Sequence, residues 1–194
     1  LDSIFEGTVN LPNALTVLRL VITAILVAVL ALPMPRAATA ALLLFLAAAL
    51  TDYLDGAIAR RHNLITDFGR LMDPLADKIL TVSAFVCLIP AIPAWAVITI
   101  IAREFLITGL RLLAGTKGVV LPAERLGKHK TAWQMITIVF YLLLGALREW
   151  SPNAAYDALG REWIGPVLLA ITVALTVYSG GAYFWRHRDL IQAG

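Results

Sequence analysis

Charge is what this sequence has least of. Charged residues make up 15% of the 194 positions and apolar residues 60%, where a soluble domain has about a quarter charged and about 45–50% apolar. So few polar groups cannot cover the chain's own surface. That excludes an ordinary soluble domain and makes lipid the solvent, in line with a mean hydropathy of +0.81. Cysteine is almost absent too. Cys87 stands alone in an apolar run, which rules out an intrachain disulfide and reads as a small buried hydrophobe. The three histidines, His62, His129 and His187, lie in basic segments, so no Cys/His set for zinc is present. No basic region precedes the first apolar run, so no cleavable signal peptide is expected. Repeats, low-complexity tracts and long linkers are missing as well. One domain over 1–194 is expected, with 1–12 (Ile4, Phe5, Val9 and Leu11) as a candidate interfacial segment.

What the chain does have is apolar runs of membrane length. A helix crosses the hydrocarbon in about 20 residues, and six such stretches fall near 14–32, 37–60, 71–90, 94–114, 131–148 and 163–185. Pro33 and Pro35, Pro90 and Pro93, the segment Gly115 to Gly127, and Ser151-Pro152-Asn153 separate them. Only helices or closed barrels satisfy the backbone in lipid, and continuous Leu, Ala, Val and Ile runs without alternation choose helices. The expected fold is all-α: a polytopic membrane protein of six transmembrane helices around a polar cavity. Basic residues in short loops set its orientation. Arg61, Arg70, Arg111, Lys117, Arg125, Lys128, Lys130, Arg186 and Arg188 fall on one side, against Arg36, Arg148 and Arg161 on the other. Both termini and the polar cavity are therefore expected to face the cytoplasm, in the cell membrane.

The membrane reading is strained at one place. Of eight aspartates, five lie between positions 52 and 77. A charge at the centre of a membrane helix costs about 2.5–3.5 kcal/mol, so such residues are functional by default. On a helix, positions three or four apart share a face. Asp52, Asp55, Gly56 and Ala59 thus form one stripe, and Asp73 with Asp77 another. A short loop makes the two helices neighbours, able to turn both stripes inward into an all-oxygen pocket. Hard ligands of this kind suit Mg²⁺, Mn²⁺ or Ca²⁺. Four converging carboxylates also require something positive among them. Each pair alone reads equally well as a helix cap; four facing carboxylates with interleaved glycines do not.

The string Asp52-x-x-Asp55-Gly56-x-x-Ala59-Arg60, eight residues, Gly69-x-x-x-Asp73-x-x-x-Asp77 resembles the signature of the CDP-alcohol phosphotransferases, with every fixed position present. The resemblance implies a six-helix, typically dimeric membrane enzyme. It implies two divalent cations, Mg²⁺ or Mn²⁺, held by Asp52, Asp55, Asp73 and Asp77, with Asp77 as the proton acceptor for an incoming hydroxyl. The CDP-lipid would lie along Gly56, Arg60 and Thr66, with Asn13 and Thr16 nearby. Further strings, Asn13-x-x-Thr16-x-x-Arg19, Asp73-Pro74-Leu75-Ala76-Asp77-Lys78, Arg103-Glu104-Phe105, Thr108-Gly109-Leu110-Arg111 and Gly127-Lys128-x-Lys130-Thr131, resemble the branch of that family whose acceptor is glycerol 3-phosphate.

The resemblance thus implies CDP-diacylglycerol and glycerol 3-phosphate as substrates, membrane lipids as surroundings, a homodimer, and no nucleic-acid partner. A phosphate-bearing acceptor calls for positive charge, and Arg103, Arg111, Lys128 and Lys130 are the candidates. Arg103 interrupts the apolar run Ile98 to Ala102 and is expected to face the cavity; the plainer reading pairs it with Glu104. Two rivals stay open: a sister synthase using inositol phosphate or phosphatidylglycerol, and an ion transporter with carboxylates at its helix ends. The near-absence of polar residues in the outer halves of the helices tells against transport.

Overall fold

A computed structural model describes residues 11–62, 67–119, 121, 125–153 and 157–188, and the chain is helical throughout its ordered elements. Six long helices occur among the described residues: α1 (Leu11–Ala31), α2 (Ala37–His62), α3 (Asp67–Cys87), α4 (Ala94–Thr116), α5 (Arg125–Trp150) and α6 (Gly165–Arg186). They fall on the six apolar stretches. The sixth starts within two residues of the expected 163, and a π-turn over Leu159–Ile164 ahead of the apolar run leads straight into it. Gly165 makes that junction possible. A Cβ there would stand 2.7 Å from the Tyr141 hydroxyl and 2.8 Å from the Gly160 carbonyl.

Three helical segments are long and apolar enough to cross a membrane among the described residues: Ala14–Ala31, His129–Trp150 and Leu159–Arg186. The apolar part of α2 stops at Asp52. The reason is the charge that makes the chain interesting: α2, α3 and α4 carry the aspartate stripes and the Arg103–Glu104 pair within their lengths. Large apolar side chains such as Val17, Leu43, Ile98, Phe105, Leu112 and Val177 are exposed, as a lipid-facing surface requires. Four exposed tryptophans, Trp95, Trp150, Trp163 and Trp185, sit at helix ends, where amphipathic rings meet the headgroups. The protein is a membrane protein.

The chain packs as two compact units. Among the described residues, one comprises those up to Cys87 with Leu142–Pro152, the other those of Leu88–Tyr141 and those from Asn153 on; α5 passes from the second to the first after Tyr141. In the first unit α1 packs on α2 and on α3, and α2 meets α3. Small and large residues interdigitate there, with Leu26, Ala41, Phe45, Ala84 and Phe85 fully buried. The turn into α2 is tight. Arg36 adopts a left-handed conformation (φ 58°), unusual for a side chain with a Cβ, and its guanidinium lies 4.0 Å over the Trp150 ring. Arg36 also begins α2, its carbonyl accepting from the Ala40 N–H at 3.0 Å.

The helix has no cap of its own; α5 supplies one. The N–H groups of Ala38 and Thr39 donate to the Glu149 carboxylate at 2.7 and 2.9 Å, and the Thr39 hydroxyl donates to it at 2.6 Å. Trp150 Nε1 donates to the Thr39 hydroxyl at 3.0 Å. The helices come together closely enough for this because Gly145 lacks a Cβ, which would lie 2.8 Å from the Ala38 Cβ.

In the second unit α4 packs against α6, burying Ile107, Leu110 and Tyr183 together with Leu121 against them. Gly118, at φ 71°, closes α4 in a Schellman motif: the Val119 N–H donates to the Ala114 carbonyl and the Gly118 N–H to that of Gly115. Between α5 and α6 runs a buried polar seam. The hydroxyls of Thr137 and Thr172 share a 2.8 Å hydrogen bond, and Thr172 donates to the Trp133 carbonyl at 3.2 Å. Thr176 and Ser179 continue it along α6, each donating to a backbone carbonyl one turn back. These helices are thus less purely apolar inside than their composition suggests.

Candidate active site

The aspartate stripes belong to the first unit. Asp52 and Asp55 stand in the second half of α2, Asp73 in the first half of α3 and Asp77 at its middle, and the two helices pack on each other. Two of the four carboxylates have described side chains. A positive group does stand beside one of them: Arg19 of α1, whose Nη1 lies 2.7 Å from Asp52 Oδ1. Its side chain is 1% exposed while that of Asp52 is 47% exposed. The Arg19 guanidinium is thus a buried cation answered by a carboxylate at the rim. The pair uses Oδ1 of Asp52 and leaves that residue open to a second ligand. Thr16, one turn before Arg19, is fully buried. Thr23, one turn after, donates its hydroxyl to the Arg19 carbonyl at 2.8 Å.

Asp77 is half-buried. Its carbonyl accepts from the Thr81 hydroxyl at 3.2 Å. The side chains of Asn13, Asp55, Gly56, Arg60 and Asp73 lie outside the described residues, although their helices are described, and Thr66 lies outside them altogether. Among the described residues no three acidic, His or Cys side chains form a metal cluster. The donors that are described, Asp52 and Asp77 on packed helices, are hard oxygens of the kind a divalent cation takes, and they fit one.

The basic residues expected to hold an acceptor phosphate belong to the second unit, where the structure joins two of them on one carboxylate. Arg103 Nη1 lies 3.4 Å from Glu104 Oε1, and the Lys130 ammonium from α5 contacts the same oxygen. All three are sequestered: Lys130 is 3% exposed, Arg103 12% and Glu104 13%. Arg103 Nη2 donates to the Ser179 hydroxyl at 3.2 Å. The plainer reading of Arg103, an ion pair with Glu104, is therefore present, and Lys130 is in it too. Arg111, two turns on, is exposed at its own position and donates from Nε to the Tyr183 hydroxyl at 3.4 Å. The Lys128 side chain lies outside the described residues.

Three contacts escaped the sequence reading: Arg19 with Asp52, Lys130 with the Glu104 that Arg103 was already expected to meet, and Ser179 with Arg103. Arg19 carried a signal, a single cation in an otherwise apolar helix.

The sequence model of the CDP-alcohol phosphatidyltransferase family matches residues 9–178, most of the chain and both packing units. The chain belongs to this family. Curated relatives agree along nearly the whole length. One from Bacillus subtilis (strain 168) is 36% identical over 197 residues, covering 94% of this chain and 97% of its own. One from Rickettsia bellii (strain RML369-C) is 36% identical, covering 90% and 93%. One from Shigella flexneri serotype 5b (strain 8401) is 35% identical, covering 88% and 90%. Each is named CDP-diacylglycerol–glycerol-3-phosphate 3-phosphatidyltransferase. The chain is therefore a CDP-diacylglycerol-dependent phosphatidyltransferase, an enzyme.

Proposed function

We propose that this enzyme transfers a phosphatidyl group from CDP-diacylglycerol to glycerol 3-phosphate, giving phosphatidylglycerophosphate and CMP. The observation that carries the chemistry is the aspartate string spread over two packed helices, with the Asp52 end paired to the buried Arg19. The shared name of relatives about 35% identical over most of their length supports the acceptor.

In this reading the glycerol 3-phosphate hydroxyl attacks the lipid-side phosphorus. A new P–O bond forms there, the pyrophosphate P–O bond breaks, and CMP leaves with that bond's electrons. Asp77 takes the hydroxyl proton, which requires it within about 3 Å of the attacking oxygen. Two divalent cations on Asp52, Asp55, Asp73 and Asp77 would supply orientation of the pyrophosphate and neutralisation of charge on the leaving group. Arg19 fixes the position of Asp52. Gly56, Arg60 and Thr66, with Asn13 and Thr16, are assigned to the CDP-lipid. Arg103, Arg111, Lys128 and Lys130 are assigned to the acceptor's phosphate. The acyl chains need no pocket, since they can stay in the bilayer.

The whole chain is read as one catalytic domain of six spans, with both termini and the site on the cytoplasmic side of the cell membrane, working as a homodimer. The deciding assay is CMP release by purified protein in detergent with CDP-diacylglycerol and Mg²⁺ or Mn²⁺. Glycerol 3-phosphate, inositol 1-phosphate, serine and phosphatidylglycerol are compared as acceptors, with EDTA as control. Release confined to glycerol 3-phosphate and abolished by EDTA is expected. Release with another acceptor overturns the acceptor but keeps the chemistry, and no release with any, from folded protein, revives transport.

A further inference from the structure

Arg103 is held on almost every side. Glu104 Oε1 accepts from Nη1 and the Ser179 hydroxyl from Nη2. The stem passes through a notch in α6, because a Cβ on Gly180 would lie 2.8 Å from Arg103 Cγ. One nitrogen is left over. Nε–H is buried and makes no hydrogen bond among the described residues. An unmade bond on a buried cation is costly, and native structures rarely keep one without use. The Glu104 oxygen that takes Arg103 also takes Lys130 from a different helix. Side by side, those two cations would otherwise repel and turn apart.

We propose that Glu104 is a positioning residue for the acceptor. It gathers Arg103 and Lys130 from α4 and α5 onto one carboxylate oxygen, and with Ser179 and Gly180 of α6 it keeps the buried Arg103 Nε–H as an unsatisfied donor for a phosphate oxygen. This rests on the assignment of the basic cluster to the acceptor's phosphate. A salt bridge that served stability alone would have no use for the open donor. Glu104 is also an unexpected neighbour for an anion site on charge alone, since a carboxylate there weakens the field of its cations. Geometry must outweigh that loss.

The opposition of charge and geometry makes the idea testable in the full-length protein in detergent. Glu104→Gln removes the negative charge at nearly constant shape. If charge alone matters, acceptor affinity rises. If Glu104 positions the cations, the KM for glycerol 3-phosphate rises about ten-fold, the worth of about one charged hydrogen bond. The KM for CDP-diacylglycerol then stays unchanged, and inorganic phosphate loses potency as a competitor of the acceptor in parallel. Ser179→Ala is expected to raise the same KM by about three-fold, a neutral bond being worth less, and it decides the matter if Glu104→Gln does not fold. Arg103→Ala separates the two levels of the argument. An acceptor KM unmoved by Arg103→Ala removes the cluster from acceptor binding altogether. A KM raised by Arg103→Ala but unchanged or lowered in both other variants overturns the positioning role alone. Equal rises for both substrates, with a lower melting temperature, make the contact structural and overturn it too.

Discussion

At the scale of single residues the proposed chemistry divides between a base and a buried cation. Asp77→Asn keeps the shape and removes the proton acceptor. Turnover is expected to fall at least about 100-fold, the usual lower worth of a positioned base, while CDP-lipid binding by filter or calorimetric assay is spared. Near-normal CMP release would take the base role away from Asp77. Arg19 is a different case. With one partner half exposed, its removal costs less than the about 3–5 kcal/mol of a fully buried pair. Arg19→Met is expected to destabilise the detergent-solubilised protein by about 2 kcal/mol, and a cycle with Asp52→Asn should recover most of it as coupling. Additive effects would mean that the two side chains do not meet in solution.

Helices are the scale at which the sequence spoke most clearly. Long Leu, Ala and Val runs broken by prolines can only be helices in lipid, so their number and approximate limits were legible, as was the aspartate spacing on α2 and α3. What joins helices was not. The demand for a positive group near Asp52 followed from charge alone, but its identity depended on the register of α1 against α2, which no periodicity encodes. The π-turn ahead of the sixth helix was missed because Arg161 and Glu162 look like loop residues, whereas the turn accommodates them at its surface. The cap on α2 belongs to the same class of long-range fact. Glu149→Ala removes three hydrogen bonds from the first turn of α2, and a cap is worth about 1–2 kcal/mol. A lower melting temperature with both substrate KM values unchanged is expected. A KM change at constant stability would place Glu149 in substrate handling instead.

For the molecule as a whole, composition decided the solvent, and exposed tryptophans at the helix ends agree with it. The direction of insertion remains a reading of charge in loops, and the single cysteine makes it easy to check. In a Cys87→Ser background, Ser151→Cys at the end of α5 is expected to react with a membrane-impermeant maleimide on intact cells. Lys117→Cys at the end of α4 is expected to react only after permeabilisation. The reverse pattern would turn the protein over in the membrane and put the aspartates on the wrong side for a cytoplasmic nucleotide lipid.

Glu149 gives the fold a calendar as well as a cap. The N–H groups it satisfies belong to a helix made 111 residues earlier in the chain. At about 5–20 residues per second, the ribosome reaches position 149 roughly 6–22 s after it has made position 38. During that interval the first turn of α2 must find water or headgroups. Capping of α2 therefore waits on the fifth helix. A chain halted before it would be expected to leave α1, α2 and α3 in the bilayer but unlocked, a natural target for membrane quality control.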